Sequence, residues 1–245
     1  MFPAIALPYR MLFGALLLVW GLLFVTGMIG GRYNADCSRR LPPVNKLLMS
    51  VTLIIIGVIW WLAFARLTPL APYGAWITVG MFFGLLGDVS LADVLPLKRP
   101  IPLGMLAFGV GHILYIVGYG FLGRRFGLSG KLLPAAVGVA LIVAIVSWRF
   151  TAWNPRQDRV LSFGALGYTI LLCSMAGVAM WLALEDARLA WLAVGAVLFV
   201  ISDMLLACYL FRRYVFRSIR DLVWVLYTVG QALIVLSIGT AVQMV

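Results

Sequence analysis

The chain has 245 residues, 64% hydrophobic and 11% charged, against about 45–50% and about 25% in an ordinary soluble domain, which excludes a soluble globular protein. About 20 apolar residues cross a ~30 Å hydrocarbon core, and the sequence has room for eight such spans joined by short polar loops, so the expected fold is an all-α, polytopic, single-domain membrane protein. The net charge of +11 lies almost wholly between the apolar runs, where anionic lipid attracts it, and nucleic-acid binding is not expected.

The first predicted helix, residues 11–30, follows Arg10 and is long enough to span. It lacks a clear small-x-small cleavage site, so it reads as a helix and not a removed signal. Helix 47–65 follows a basic loop. Helix 73–95 carries Asp88, helix 103–122 carries His112 and Tyr115, and helix 132–148 carries no chemistry. Tyr168 falls in helix 160–184, Ser202 and Asp203 in helix 189–210, and Tyr227 and Gln231 in helix 222–242. Trp60, Trp61, Trp76, Trp148, Trp153, Trp181, Trp191 and Trp224 all fall near predicted ends, where an amphipathic ring suits the membrane interface.

Thirteen Lys and Arg follow odd-numbered predicted helices, against six in the N-terminal segment and even loops. The positive-inside rule then makes the odd loops cytoplasmic and both termini external, and a bacterial inner membrane is the expected location. Residues 84–95 (GLLGDVSLADVL) align with 199–210 (FVISDMLLACYL), setting Asp88 over Asp203, and residues 108–112 align with 227–231. Two four-helix units repeated in parallel would give this pattern.

Asp88 and Asp203 are the charges placed deep in spans, where each costs about 2.5–3.5 kcal/mol on insertion scales. Helix rise from the predicted ends sets both about 10 Å deep, Tyr168 about 12 Å, and His112 and Gln231 about 14 Å. Two carboxylates, an imidazole and several hydroxyls in one layer form an inventory for proton transfer, with Asp88, Asp203 and His112 as the catalytic candidates. Tyr115, Tyr168, Tyr227, Gln231 and Ser202 line the expected cleft. Helix-to-helix hydrogen bonding is the alternative use of such a layer. Asp93, beside Lys98 and Arg99, reads as an interfacial charge. Cys37, Cys173 and Cys208 form no CxxC pair, and His112 is the lone histidine, so neither a metal site nor another cofactor is expected.

At these residues the sequence resembles the YhhN family of membrane proteins, which includes lysoplasmalogenases. The resemblance rests on GLLGDVSLAD (84–93), FGVGHILYIVGY (108–119), GAVLFVISDMLLA (195–207) and YTVGQALIVLS (227–237). It covers roughly residues 46–237 and leaves the first helix unsupported. It implies an eight-helix hydrolase that splits the vinyl ether of lysoplasmalogens into a fatty aldehyde and glycerophosphoethanolamine or glycerophosphocholine. Asp88 and Asp203 would be the acid and the anion or base, in either order, with His112 and Tyr115 orienting them. Lys46, Lys98, Arg212 or Arg213 would meet the phosphate. The expected partners are thus a lysophospholipid substrate and membrane lipid, and a single chain can enclose its own cleft without an oligomer. A small proton-coupled lipid or metabolite transporter built on the same Asp pair is the competing expectation.

Overall fold

The structure, a computed structural model, describes residues 5–92, 94–155 and 158–245, so Asp93 lies outside the described residues. Its helices are α1 (Leu7–Gly30), α2 (Pro43–Ile59), α3 (Ala71–Leu91), α4 (Pro100–Arg125), α5 (Leu133–Thr151), α6 (Arg159–Glu185), α7 (Ala190–Arg212) and α8 (Ile219–Val242). A π-helical turn, Trp60–Ala65, extends α2, and a 3-10 turn, Ala187–Leu189, leads into α7. Eight helices are long and apolar enough to cross a membrane, the α2 span including its π turn. The protein is a polytopic all-α membrane protein.

Five of the helices, α1 to α5, carry proline in their first two positions. A first-turn amide has no helical acceptor, so proline loses nothing there and its fixed φ starts the helix. For this reason α1 and α2 each begin four residues before the onset of hydrophobicity, and Lys46 lies inside α2. At its other end α3 stops at Leu91 and not at residue 95. α6 instead starts at an acid cap, the Asp158 carboxylate accepting the Val160 amide at 3.0 Å.

α8 is the most enclosed helix, while α1 and α5 lie at the rim. Two pairs of glycines bring helices into backbone contact. A Cβ on Gly111 would come within 3.0 Å of the Gly80 carbonyl oxygen, closing α3 on α4. A Cβ on Gly195 would come within 2.8 Å of the Gly230 carbonyl, closing α7 on α8. Gly80 stands eight residues before Asp88 and Gly195 eight before Asp203, and Gly111 and Gly230 directly precede His112 and Gln231. The same close approach therefore recurs at Gly111 and Gly230, which the sequence alignment equates, and at Gly80 and Gly195, each four residues before the aligned segments.

The tryptophans do not form the expected interfacial frame throughout. Trp60 is wholly enclosed, stacked on Phe13 at 4.5 Å between ring centres and lying against Gly239. Trp181 and Trp224 are also buried. Trp191 remains exposed as expected.

On the side of the basic loops, the α1–α2 and α7–α8 connections are tied together. Ser218 and Arg220 donate their amides to the Cys37 and Ser38 carbonyls, each at 2.9 Å. Beneath them the buried Asp221 carboxylate accepts the amides of Arg40 at 2.7 Å and Leu41 at 3.0 Å. Hydrogen bonds from Ser38, with Tyr209 adding one, hold the Asp36 carboxyl below its ordinary range. This double loop roofs the end of the bundle near which Asp88 lies.

Candidate active site

Asp88 is one turn from the end of α3, nearer to it than the predicted helix placed it, yet only 7% exposed. α2 and α8 enclose it. Its Oδ2 accepts the Ser50 hydroxyl at 2.6 Å and the Tyr227 hydroxyl at 3.0 Å. The chain continues along α8, where Gln231 Nε2 donates to Tyr227 Oη at 3.4 Å, and across to α4, where Tyr115 Oη donates to Gln231 Oε1 at 2.8 Å. Tyr227 and Gln231 are four residues apart, so one helix face presents both.

A second chain serves the other carboxylate. Tyr168 of α6 donates to Asp203 Oδ2 of α7, and His112 Nε2 of α4 lies 3.2 Å from the same Tyr168 hydroxyl. With the Tyr168 proton given to Asp203, His112 is assigned as the tautomer that donates from Nε2. Its Nδ1 is buried without a partner, and its ring stands edge-on to Phe199 at 4.9 Å. The predicted layer is therefore two hydrogen-bonded chains, each ending on one aspartate.

Two pockets meet between them. One, of about 630 Å³ including its open mouth, is lined by Arg39, Lys46, Arg220, Trp224, Asp88 and Asp203 among others. Lys46 Nζ donates to the Arg220 carbonyl at 3.3 Å and sits 5.3 Å over the Trp224 ring. The other, of about 650 Å³ including its mouth, is mainly apolar and runs between α4, α5, α6 and α7 past Met105, Leu172 and Val200. Leu91, Phe108, Asp203 and Leu206 border both. Asp203 is thus the carboxylate exposed to the two compartments, while Asp88 faces the basic one alone.

Most of the residues singled out from sequence converge here: Asp88 with Tyr227, Gln231 and Tyr115, Asp203 with Tyr168 and His112, and Lys46 at the basic pocket. Ser202 borders that pocket but spends its proton on the Val223 carbonyl at 2.9 Å, joining α7 to α8. Arg212 is placed elsewhere. Its Nη2 donates to the Arg149 carbonyl at 2.9 Å, and neither it nor Lys98 nor Arg213 lines either pocket. The end of α7 carries Arg212 toward the end of α5, away from the basic pocket. Ser50, Arg39 and Arg220 were missed. Ser50 had a signal, since it lies one turn beyond Lys46 on the same helix face. Among the described residues, no group of three or more His, Cys, Asp and Glu side chains is placed to hold a metal ion.

The YhhN family model matches residues 41–238. The chain belongs to the YhhN family. The match begins in the loop held by Asp221 and ends in α8, so it contains both hydrogen-bonded chains, Lys46 and Arg220, while α1 and Arg39 precede it. No curated protein and no solved structure matches the chain.

Proposed function

We propose that this YhhN protein is a membrane hydrolase that cleaves the vinyl ether bond of lysoplasmalogens, releasing a fatty aldehyde and a glycerophospho-alcohol. The observation that carries this is the position of Asp203, shared by a basic pocket and an apolar one. A lysoplasmalogen has the same division: an anionic phosphate on one side of the vinyl ether and a hydrocarbon chain on the other. Arg39, Lys46 and Arg220 suit the phosphate, and the apolar pocket suits the chain.

The order of atoms in the substrate then assigns the two carboxylates. From the glycerol oxygen outward come the first vinyl carbon, the second vinyl carbon and the chain. Hydrolysis begins by proton transfer to the second carbon, on the tail side, where Asp203 lies. The double-bond electrons take that proton and leave an oxocarbenium ion shared by the first carbon and the ether oxygen. Asp88, on the head side, offsets the positive charge and takes a proton from the water that attacks the first carbon, as paired carboxylates do in glycoside hydrolysis. The hemiacetal so formed collapses to aldehyde and alcohol, and the proton held by Asp88 returns to Asp203 before the next turnover. Tyr168 and His112 position Asp203, and Ser50 and Tyr227 position Asp88.

α3 and α7 pass through their aspartates as unbroken helices, unlike the discontinuous helices on which many carriers build their sites, which favours hydrolysis over transport. The test is aldehyde release by purified protein given lysoplasmalogen, beside the saturated-ether lysolipid, which differs only in the double bond, and a parallel reaction with chelator. Release from the vinyl ether alone is expected, with and without chelator. Well-folded protein that releases no aldehyde would overturn the reading.

A further inference from the structure

The apolar pocket lies against a second apolar space. On the lipid-facing side, α5, α6 and α7 bound a groove of about 1150 Å³ including its open side, with almost no polar lining. Cys173, Val200 and Met204 line both the groove and the pocket that holds Asp203. The two are therefore neighbouring compartments with a common wall of three flexible or small side chains.

The shape of the groove follows from the packing. A Cβ on Gly177 of α6 would meet the Ala140 Cβ at 2.8 Å and the Ala136 carbonyl at 3.0 Å, so α6 lies directly on α5 at that level. α7 touches α5 far less extensively. A trough is left along the seam, floored by small residues and edged by Val139, Val143, Met180 and Ile201, all of them exposed. From Cys173 to Leu184 along α6 it runs eleven residues, about 16 Å at helix rise. It points away from the basic pocket, toward the other face of the bundle.

We infer that this α5–α7 groove receives the single hydrocarbon chain of the lipid bound at Asp203 and is the side door by which that chain enters from the bilayer and the aldehyde leaves. The inference rests on the hydrolase reading for the identity of the chain. The wall it shares with the Asp203 pocket decides the occupant. A chain whose head lies among Arg39, Lys46 and Arg220 and whose vinyl ether lies at Asp203 runs into the apolar pocket toward Leu172 and Val200, and the groove is the apolar space on the other side of the Cys173, Val200 and Met204 side chains. An aldehyde with no charged head then has a path into the membrane that does not pass the basic pocket.

Cys173→Trp fills the junction. It should lower kcat/KM for a long-chain lysoplasmalogen by roughly tenfold or more, the scale on which small changes in apolar fit are discriminated. A short-chain substrate should be turned over within about twofold of wild type, because its chain stops before the junction. Equal losses on both chain lengths, or no loss on either, would overturn the assignment. Val143→Trp at the lipid-exposed edge gives a variant that leaves the core packing intact, and it too should penalise the long chain selectively.

A second readout needs no turnover. A saturated-ether lysolipid with a diazirine at the chain end should crosslink to α5 and α6 near Val143 and Met180, be displaced by excess unlabelled lysolipid, and fail to do so in Cys173→Trp. Crosslinks elsewhere, or ones that competitor does not displace, would mark ordinary bilayer lipid and sink the proposal. If wild type crosslinks in this way yet releases no aldehyde, the groove stands and the hydrolase reading fails. If it hydrolyses with a variant indifferent to chain length, the hydrolase reading stands and the groove fails.

Discussion

Asp88 and Asp203 differ from asparagine by one charge and almost no volume, so substitution separates chemistry from folding. An Asn at position 88 can still accept from Ser50 and Tyr227 through its carbonyl, and one at 203 can still accept from Tyr168. Asp88→Asn and Asp203→Asn should each reduce kcat for aldehyde release by about 10²–10⁴-fold or more, the range assigned to a positioned proton-transfer group. Both proteins should elute and melt like wild type in detergent. Substantial activity in either variant would remove the carboxylate-pair mechanism. Ser50→Ala asks a finer question, since it deletes one donor to Asp88 and leaves Tyr227 in place. A hydrogen bond to a charged group contributes about 1.5–3 kcal/mol, so kcat should fall by roughly 10–100-fold. An unchanged kcat would show that Ser50 only fills space.

The contrast between these residues explains what could be read from the sequence. An aspartate in the middle of an apolar run announces itself, because the insertion cost is a property of the run alone. A serine in the same place costs little and is ordinary in membrane helices. What makes Ser50 part of the site is that α2 turns it toward α3, and nothing in the linear pattern states which helices are neighbours. Arg39 and Arg220 were equally hidden among basic loop residues. Their distinction from Arg212 lies in the fold of the two loops that bring them to one pocket, while Arg212 binds the end of α5.

At the scale of elements, the number and length of the spans were legible and their inner faces were not. Lipid tails are as apolar as a protein core, so hydropathy alone does not separate a side chain facing lipid from one facing a helix. Trp60, Trp181 and Trp224, expected at the interface from their places near helix ends, lie near those ends but are packed against other helices. α1 to α4 start before their apolar runs because first-turn proline, and not hydrophobicity, marks where they begin. The glycine pairs carry the compensating information, since they specify where backbones touch. Gly195→Leu would push a side chain onto the Gly230 carbonyl. Overpacking of this kind costs typically 1–3 kcal/mol, and against backbone the relief available is small, so detergent-phase melting should drop by several degrees. A variant as stable as wild type would show that α7 and α8 can separate without loss.

Asp221→Ala tests the roof of the basic pocket at the same scale. It strands two amides that now donate to a buried carboxylate. Two such bonds at about 1.5–3 kcal/mol each make roughly 3 kcal/mol a lower bound on their joint contribution. The loops should loosen first, seen as faster proteolysis between residues 31 and 42 before any loss of the membrane-embedded helices. Unchanged cleavage there would mean that the Ser218 and Arg220 amide bonds hold the loops unaided.

For the whole molecule, the governing fact is that three spans, an odd number, lie between the one that carries Asp88 and the one that carries Asp203. α3 and α7 therefore run in the same direction and deliver their carboxylates to one end of the bundle, the end covered by the basic loops. An inverted arrangement would have sent them to opposite leaflets, where two chains of hydrogen bonds could not meet at one lipid. The same geometry makes orientation a statement about substrate supply: whichever leaflet the basic loops face is the leaflet whose lysolipids reach the site. The positive-inside rule predicts the cytoplasmic leaflet. Cys37 gives a direct test in a Cys208→Ser background, because it is exposed in the α1–α2 loop, whereas Cys173 is buried in α6 and Cys208 is half-buried in α7. In membrane vesicles of the producing cell, a membrane-impermeant maleimide should label Cys37 in inverted but not in right-side-out preparations. Ser129→Cys, in the loop between α4 and α5 and with Cys37 replaced by Ser, should behave in the opposite way. The reverse pattern would place the basic pocket outside the cell and make lipids of the outer leaflet, or those arriving from the environment, the substrates that the site meets.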